Sequence, residues 1–169
     1  MTPQMTALNQ TIHWHKWLAM MAVFFSFSLT SAFAAGTYDP PAKSKAKDLH
    51  LSYKMAETLI AKENYSKALA ALALVIEDEP KNADAWNLKG FSHRKIGDYD
   101  ASYQAYQTAL ALDPKHRQAM EYMGELYLTL GKLDEAEALL ARLKKACSYN
   151  CKYRDMLAKA IADYKAANS

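Results

Sequence analysis

The stretch ADAWNLKGFSHRKIGDYDASYQAYQTALALDPKH, residues 83–116, decides the fold of this chain. It divides at Gly97 and Asp98 into two segments of helix length, and Pro114 closes the second segment because proline cannot continue a helix. Asn82 and Asp98 stand where N-cap residues are expected, one before each segment, and Asn64 is expected to cap a helix in the same place 34 residues before Asp98. Two helices of this length cannot bury their apolar faces alone, so the stretch predicts neighbours of the same kind.

Such neighbours lie on both sides of this stretch, at a spacing of 34 residues. Several of the positions that recur are glycine or proline, which mark turns and helix ends. Examples are Pro80 and Pro114, Gly90 and Gly124, and Gly97 and Gly131. Helix pairs that repeat with this period indicate a stacked helical solenoid.

The central unit carries three signature residues of a known repeat, namely Trp86, Gly90 and Pro114. On these residues the chain resembles the tetratricopeptide repeat family. The resemblance implies an all-α fold, a right-handed α-solenoid of three helix pairs followed by a C-terminal capping helix. The unit departs from the family pattern at Lys89, His93, Ser102 and Tyr106.

The repeat register divides the chain into six segments. The last segment places apolar residues at helical spacing with charges elsewhere around the helix, as expected of an element that covers the end of a solenoid. The predicted segments are a cleaved signal peptide (1–34), a linker (35–48), three repeats (49–82, 83–116 and 117–150) and a capping helix (151–169).

The N-terminal segment has the features of an export signal. Residues 2–16 contain no acid, residues 17–29 form an apolar run, and Ala-Phe-Ala at 32–34 is a small-x-small cleavage site. The alternative is an uncleaved membrane anchor, since residues 17–35 approach the roughly 20 that a span requires. The serines and threonine in the second half of the run favour cleavage. We therefore predict an exported protein of the bacterial periplasm.

Composition and charge restrict the classes of partner. The formal charge of +3 becomes +2 on cleavage, because Lys16 is the only charged residue among the first 34. This is too close to neutral to predict nucleic-acid binding. The sequence contains no phosphate-binding glycine loop and no nucleophile elbow. We predict a protein that is not an enzyme, without cofactor or metal, whose partner is another protein or peptide. Self-association is possible, and membrane contact is expected only through an uncleaved signal segment.

One stripe along the first helix of each pair is the candidate binding surface. Residues three or four apart share a helix face, so positions 2, 5, 9 and 12 of a repeat align. In proteins that resemble this one, that stripe lines a concave groove where peptides bind. The predicted partner-binding residues are Tyr53, Glu57, Ile60, Asp84, Asn87, Phe91, Arg94, Gln118, Glu121, Glu125 and Leu128.

Phe91 allows two interpretations. As an aromatic residue beside Arg94 it could be an interface hot spot. It could equally fill space between neighbouring first helices, since single apolar residues at a surface are ordinary. Family members that grip a C-terminal carboxylate use Lys or Arg with Asn on this face. The comparable places here hold Tyr53, Glu57, Gln118 and Tyr122, so no such clamp is predicted.

Cys147 and Cys151 form the other candidate site, and an oxidising compartment would allow them to pair. In a continuous helix their Cβ atoms would lie about 5 to 6 Å apart, whereas a disulfide requires about 3.8 Å. The favoured prediction is a helix break at 148–150 and a structural bridge that joins the last repeat to the capping helix. The alternative is a thiol-disulfide or copper-handling accessory protein, with thiol pKa values lowered by nearby lysines.

Overall fold

A computed structural model describes residues 42–147 and 149–169. The predicted signal peptide and cleavage site lie outside these residues. Within the described ranges every regular element is a helix, and no helix has the length and apolarity needed to cross a membrane. The helices are α1 (Ala42–Ala61), α2 (Tyr65–Asp78), α3 (Ala83–Lys95), α4 (Tyr99–Leu112), α5 (Arg117–Thr129), α6 (Leu133–Ala146) and α7 (Lys152–Ala167).

The first helix begins earlier than the sequence predicted. α1 begins at Ala42, whereas the predicted linker ran to residue 48. The added turns consist mainly of alanine and lysine, which are strong helix formers. The predicted linker therefore corresponds in part to the start of α1.

Three N-cap predictions can be compared with the observed helix starts. The Asn82 side chain accepts a hydrogen bond from the Ala85 N–H at 2.9 Å, and Asp98 accepts one from the Ala101 N–H at 3.3 Å. These two predictions are confirmed. Asn64 occupies the N-cap position of α2, but its side chain makes no capping bond, so that prediction was wrong.

The turns inside the second and third helix pairs have the same construction. Gly97 and Gly131 adopt φ values of 83° and 73°, which favour glycine over residues with a Cβ atom. Lys132 N–H donates to the Tyr127 carbonyl at 2.8 Å, as Asp98 N–H does to the His93 carbonyl at 3.0 Å in the preceding pair. The turns at Gly97 and Gly131 therefore satisfy backbone carbonyl groups at the C-terminal ends of α3 and α5 in the same way.

The helices form two layers. The first helices α1, α3 and α5 contact one another in order, and α7 packs against α5 and α6. Among the described residues, no Cα atoms of the second helices α2, α4 and α6 lie within 8 Å of one another. A stack bends toward the layer whose members are closer together, so the first helices form the concave side. The predicted all-α solenoid with its terminal capping helix is confirmed.

Two glycines allow close packing at the helix crossings. A Cβ atom added to Gly90 would lie 2.6 Å from Cδ1 of Tyr106, and one added to Gly124 would lie 2.5 Å from Cδ1 of Leu157. Ser102 stands where the family pattern has alanine, and its hydroxyl donates to the Gly90 carbonyl at 2.8 Å. Small residues at these positions are therefore required by the side chains that cover them.

Candidate functional site

Two stripe residues of α3, Phe91 and Arg94, each contact a residue of α5 directly. The rings of Phe91 and Tyr122 have centroids 4.9 Å apart. Nη2 of Arg94 lies 2.5 Å from Oε2 of Glu125. An aromatic pair and an ion pair therefore join neighbouring first helices on the concave layer.

Phe91 is half-buried between two aromatic neighbours. The Tyr65 ring meets it edge-on at 6.2 Å, Tyr122 lies on another side, and the Arg94 guanidinium carbon is 5.6 Å from its centroid. Phe91 therefore contributes to packing between helices, as one of the two interpretations expected. Part of the ring remains accessible, and the hot-spot role stays a prediction.

Arg94 carries its positive charge permanently in the ion pair with Glu125. Burial alone would lower the pKa of Arg94, but the nearby Tyr106 hydroxyl and Glu125 carboxylate raise it above its ordinary value. The guanidinium is therefore always charged. The Arg94 and Glu125 side chains are only 15% and 32% exposed, so solvent screens the pair less than it would an ion pair at the surface.

Glu121 is the most unusual carboxyl group of the described chain. It is fully buried, and neither of its carboxylate oxygens has a hydrogen-bond partner among the described residues. Burial, followed by the charge of Glu125, raises the pKa of Glu121 to about 8, although Arg94 and Lys152 act in the opposite direction. Glu121 is therefore largely neutral below that pH.

Burial divides the predicted binding residues into two groups. Asn87, Glu121 and Leu128 are buried, so they are not part of the accessible surface. α3 packs against α1 and α5, and α5 packs against α3 and α7, so parts of these helix surfaces are covered. For the others, partner contact stays a prediction. The partly or well exposed members are Tyr53, Glu57, Ile60, Asp84, Phe91, Arg94, Gln118 and Glu125.

His116 links the starts of two first helices, a role that was not predicted from the sequence. Its Nδ1 accepts a hydrogen bond from the Ala119 N–H at 3.2 Å and so caps α5. Its Nε2 lies 3.0 Å from Oδ1 of Asp84 in the first turn of α3. The signal was present in the repeat register, because His116 stands 34 residues after the N-cap residue Asn82.

Cys147 and Cys151 are joined by a disulfide, with their Cα atoms 5.8 Å apart. Both are buried, with 6% and 4% of their surface exposed. α6 ends at Ala146 and α7 begins at Lys152, so the predicted helix break is confirmed. The burial favours a structural bridge, and the thiol-disulfide or copper-handling role stays a prediction.

The sequence profile described as Tetratricopeptide repeat matches residues 53–100 and 92–150, more than half of the chain. The chain is 30% identical over 112 residues to DnaJ protein P58IPK homolog B of Oryza sativa subsp. japonica, covering 66% of this chain and 21% of that protein. It is 25% identical over 117 residues to TPR repeat-containing protein MJ1428 of Methanocaldococcus jannaschii, covering 68% of this chain and 20% of that protein. The chain thus spans about a fifth of the length of these relatives.

Two solved structures share the fold. The type III secretion chaperone SycD of Yersinia enterocolitica, in complex with a peptide of the translocator YopD, superimposes with a TM-score of 0.64 at 17% identity, covering 73% of this chain and 96% of that one. The first TPR of Spaghetti (RPAP3), bound to an HSP90 peptide, superimposes with a TM-score of 0.62 at 17% identity, covering 73% of this chain and 95% of that one. At these identities the likeness establishes the fold.

Proposed function

Because the chain belongs to the tetratricopeptide repeat family, we propose that it is a non-enzymatic adaptor or assembly scaffold that binds a partner polypeptide on its concave side. The observation that carries this proposal is the partly exposed Phe91–Tyr122 pair, fixed beside the Arg94–Glu125 ion pair. Both pairs lie where neighbouring first helices meet. A rigid aromatic surface with a charged neighbour is typical of an interface anchor.

The structural neighbours support the same proposal. SycD is bound to a peptide of YopD, and the RPAP3 domain is bound to a peptide of HSP90. Each of these domains therefore has a binding site for a segment of another protein. For the present chain we propose that the occupant places an apolar side chain on Phe91 and Tyr122.

The proposed compartment is the bacterial periplasm, reached through cleavage after Ala34. The test is the mass of the protein recovered from fractionated cells of a Gram-negative host. We expect a periplasmic product that begins at Ala35. An intact N-terminus on a protein recovered outside the periplasm would contradict export.

The binding surface is tested by crosslinking from a photoreactive phenylalanine analogue at Phe91, in the native cell envelope. The matched control carries the same analogue at Tyr99, which is exposed at the start of α4 and lies outside the stripe. We expect a defined adduct from position 91 and none from position 99. The same adducts from both positions, or none from either, would contradict binding at this surface.

A further inference from the structure

The second-helix layer contains a cleft between α4 and α6, opposite the predicted peptide-binding side. Among the described residues, no Cα atom of α4 lies within 8 Å of one in α6, and residues of α5 line the cleft between them. The cleft has a volume of about 600 Å³. None of the stripe residues lines it, so it is separate from the site proposed above.

Apolar residues from three helices line the cleft. Leu110, Met123 and Leu139 are buried, and each comes from a different helix. Ala111 and Ala138 line the two walls, and both are exposed. Small wall residues leave room for a bulky element to approach the buried residues closely.

Polar side chains along the cleft are held in place by contacts within the chain. Gln107 donates through Nε2 to the Tyr103 hydroxyl at 2.8 Å. Arg142 donates through Nη2 to the Pro114 carbonyl at 3.2 Å. Hydrogen bonds within the chain reduce the conformational entropy that these two side chains lose when a partner binds.

The rim also presents two charges that lack an oppositely charged partner. Glu135 makes no ion pair with a described residue, and the guanidinium of Arg142 is bonded to a neutral carbonyl. They stand seven residues apart on α6, which is about 10.5 Å along a helix. An occupant with a basic and an acidic residue at a similar spacing would complement both charges.

We propose that this cleft is a second docking site, which takes an amphipathic helix of a partner protein. The helix inserts apolar side chains, one turn apart, between α4 and α6. It places a basic residue near Glu135 and an acidic residue near Arg142. The cleft is open to solvent, so it would not enclose most of a small molecule's surface, as small-molecule sites do. An amphipathic helix lying in an open apolar groove is an established mode of recognition.

The probe for this site is a displayed library of 20-residue helical peptides in which one face is randomised. The library is selected against the full chain, and the affinity of each enriched peptide is measured by fluorescence anisotropy. Ala138→Trp fills the cleft from its exposed wall, and we expect it to weaken binding by about tenfold or more. Leu74→Ala, at an exposed position of α2 that lines neither site, is the matched control and is expected to change affinity less than twofold.

A charge exchange tests the orientation of the helix. Glu135→Lys is expected to weaken an enriched peptide that contains lysine by about tenfold. Replacing that lysine with glutamate is expected to restore most of the affinity. A full chain that yields no enriched helix, or enriched helices insensitive to Ala138→Trp, overturns the proposal.

Enriched helices that lose affinity with Phe91→Ala, and keep it with Ala138→Trp, also overturn the cleft proposal but support the concave site. The two proposals therefore fail separately. Circular dichroism melts check that Ala138→Trp folds like the parent chain. If it does not, Ala111→Trp fills the same cleft from the other wall and serves as the second variant.

Discussion

The second and third helix pairs have a glycine at the same register, yet different parts of the chain cover it. Gly90 in α3 is covered by Tyr106, which belongs to the same pair. Gly124 in α5 is covered by Leu157, which belongs to α7. Leu140, the counterpart of Tyr106, is only partly buried. In the second pair, the glycine of the first helix is therefore covered by the second helix of the same pair. In the third pair, the glycine is covered by the terminal helix α7.

Truncating Leu157, the side chain that covers Gly124, should have the largest effect on the stability of the fold. Leu157 is fully buried, so Leu157→Ala leaves a cavity and should lower the free energy of unfolding by about 2 to 5 kcal/mol, measured by urea denaturation. Hydrogen exchange should accelerate in α5 and α6 more than in α3 and α4. Met156→Ala, at an exposed neighbouring position, is the control. Equal acceleration in both pairs would refute the contrast between them.

Replacing the two glycines with a larger residue also tests whether different helices cover them. Gly90→Leu should cost about 1 to 3 kcal/mol, because the new side chain meets the Tyr106 ring, and a thermal melt measures the loss. Gly124→Leu should cost a similar amount. In a Leu157→Ala background, however, Gly124→Leu should cost less while Gly90→Leu is unchanged. A melt of Gly90→Leu that matches the parent would argue against the repeat register.

The disulfide should stabilise the joint on which the third pair depends. For a loop of five residues the chain-entropy relation gives about 2 kcal/mol, so the double variant Cys147→Ser/Cys151→Ser should melt at a lower temperature. Concave-side binding should persist in the folded variant. A variant that keeps its melting temperature and loses a redox or copper-binding activity would instead favour the thiol-based function.

The two pairs also differ at one buried polar position, which is Asn87 in the second and Glu121 in the third. The pKa of Glu121 rises from 4.5 to about 8 on folding, so the folded chain binds this proton more tightly. The free energy of unfolding should therefore fall as pH rises from about 4.5 to about 8, and should level off above that. Glu121→Gln, which has no proton to lose in this range, should remove most of this fall in urea titrations across the range. An unchanged pH dependence would show that Glu121 is not responsible.

The 34-residue period, the turn glycines and the caps at Asn82 and Asp98 were predictable from sequence. Each of these features acts within a few residues of itself, so local rules are enough to find it. The break between Cys147 and Cys151 was also predictable, because disulfide geometry excludes a continuous helix there. The early start of α1 was not anticipated, since a lysine-rich segment after two prolines can be a linker or a helix.

By itself the sequence determined the repeat period, the turn glycines and the helix break between the two cysteines. Only the tertiary structure decided that Glu121 is buried, that Leu157 covers Gly124, that His116 reaches Asp84, and that α4 and α6 leave a cleft. Local signals depend on neighbours along the chain, which the sequence contains directly. Burial and long-range contacts depend on which side chains meet across helices, and that is established only when the helices are packed.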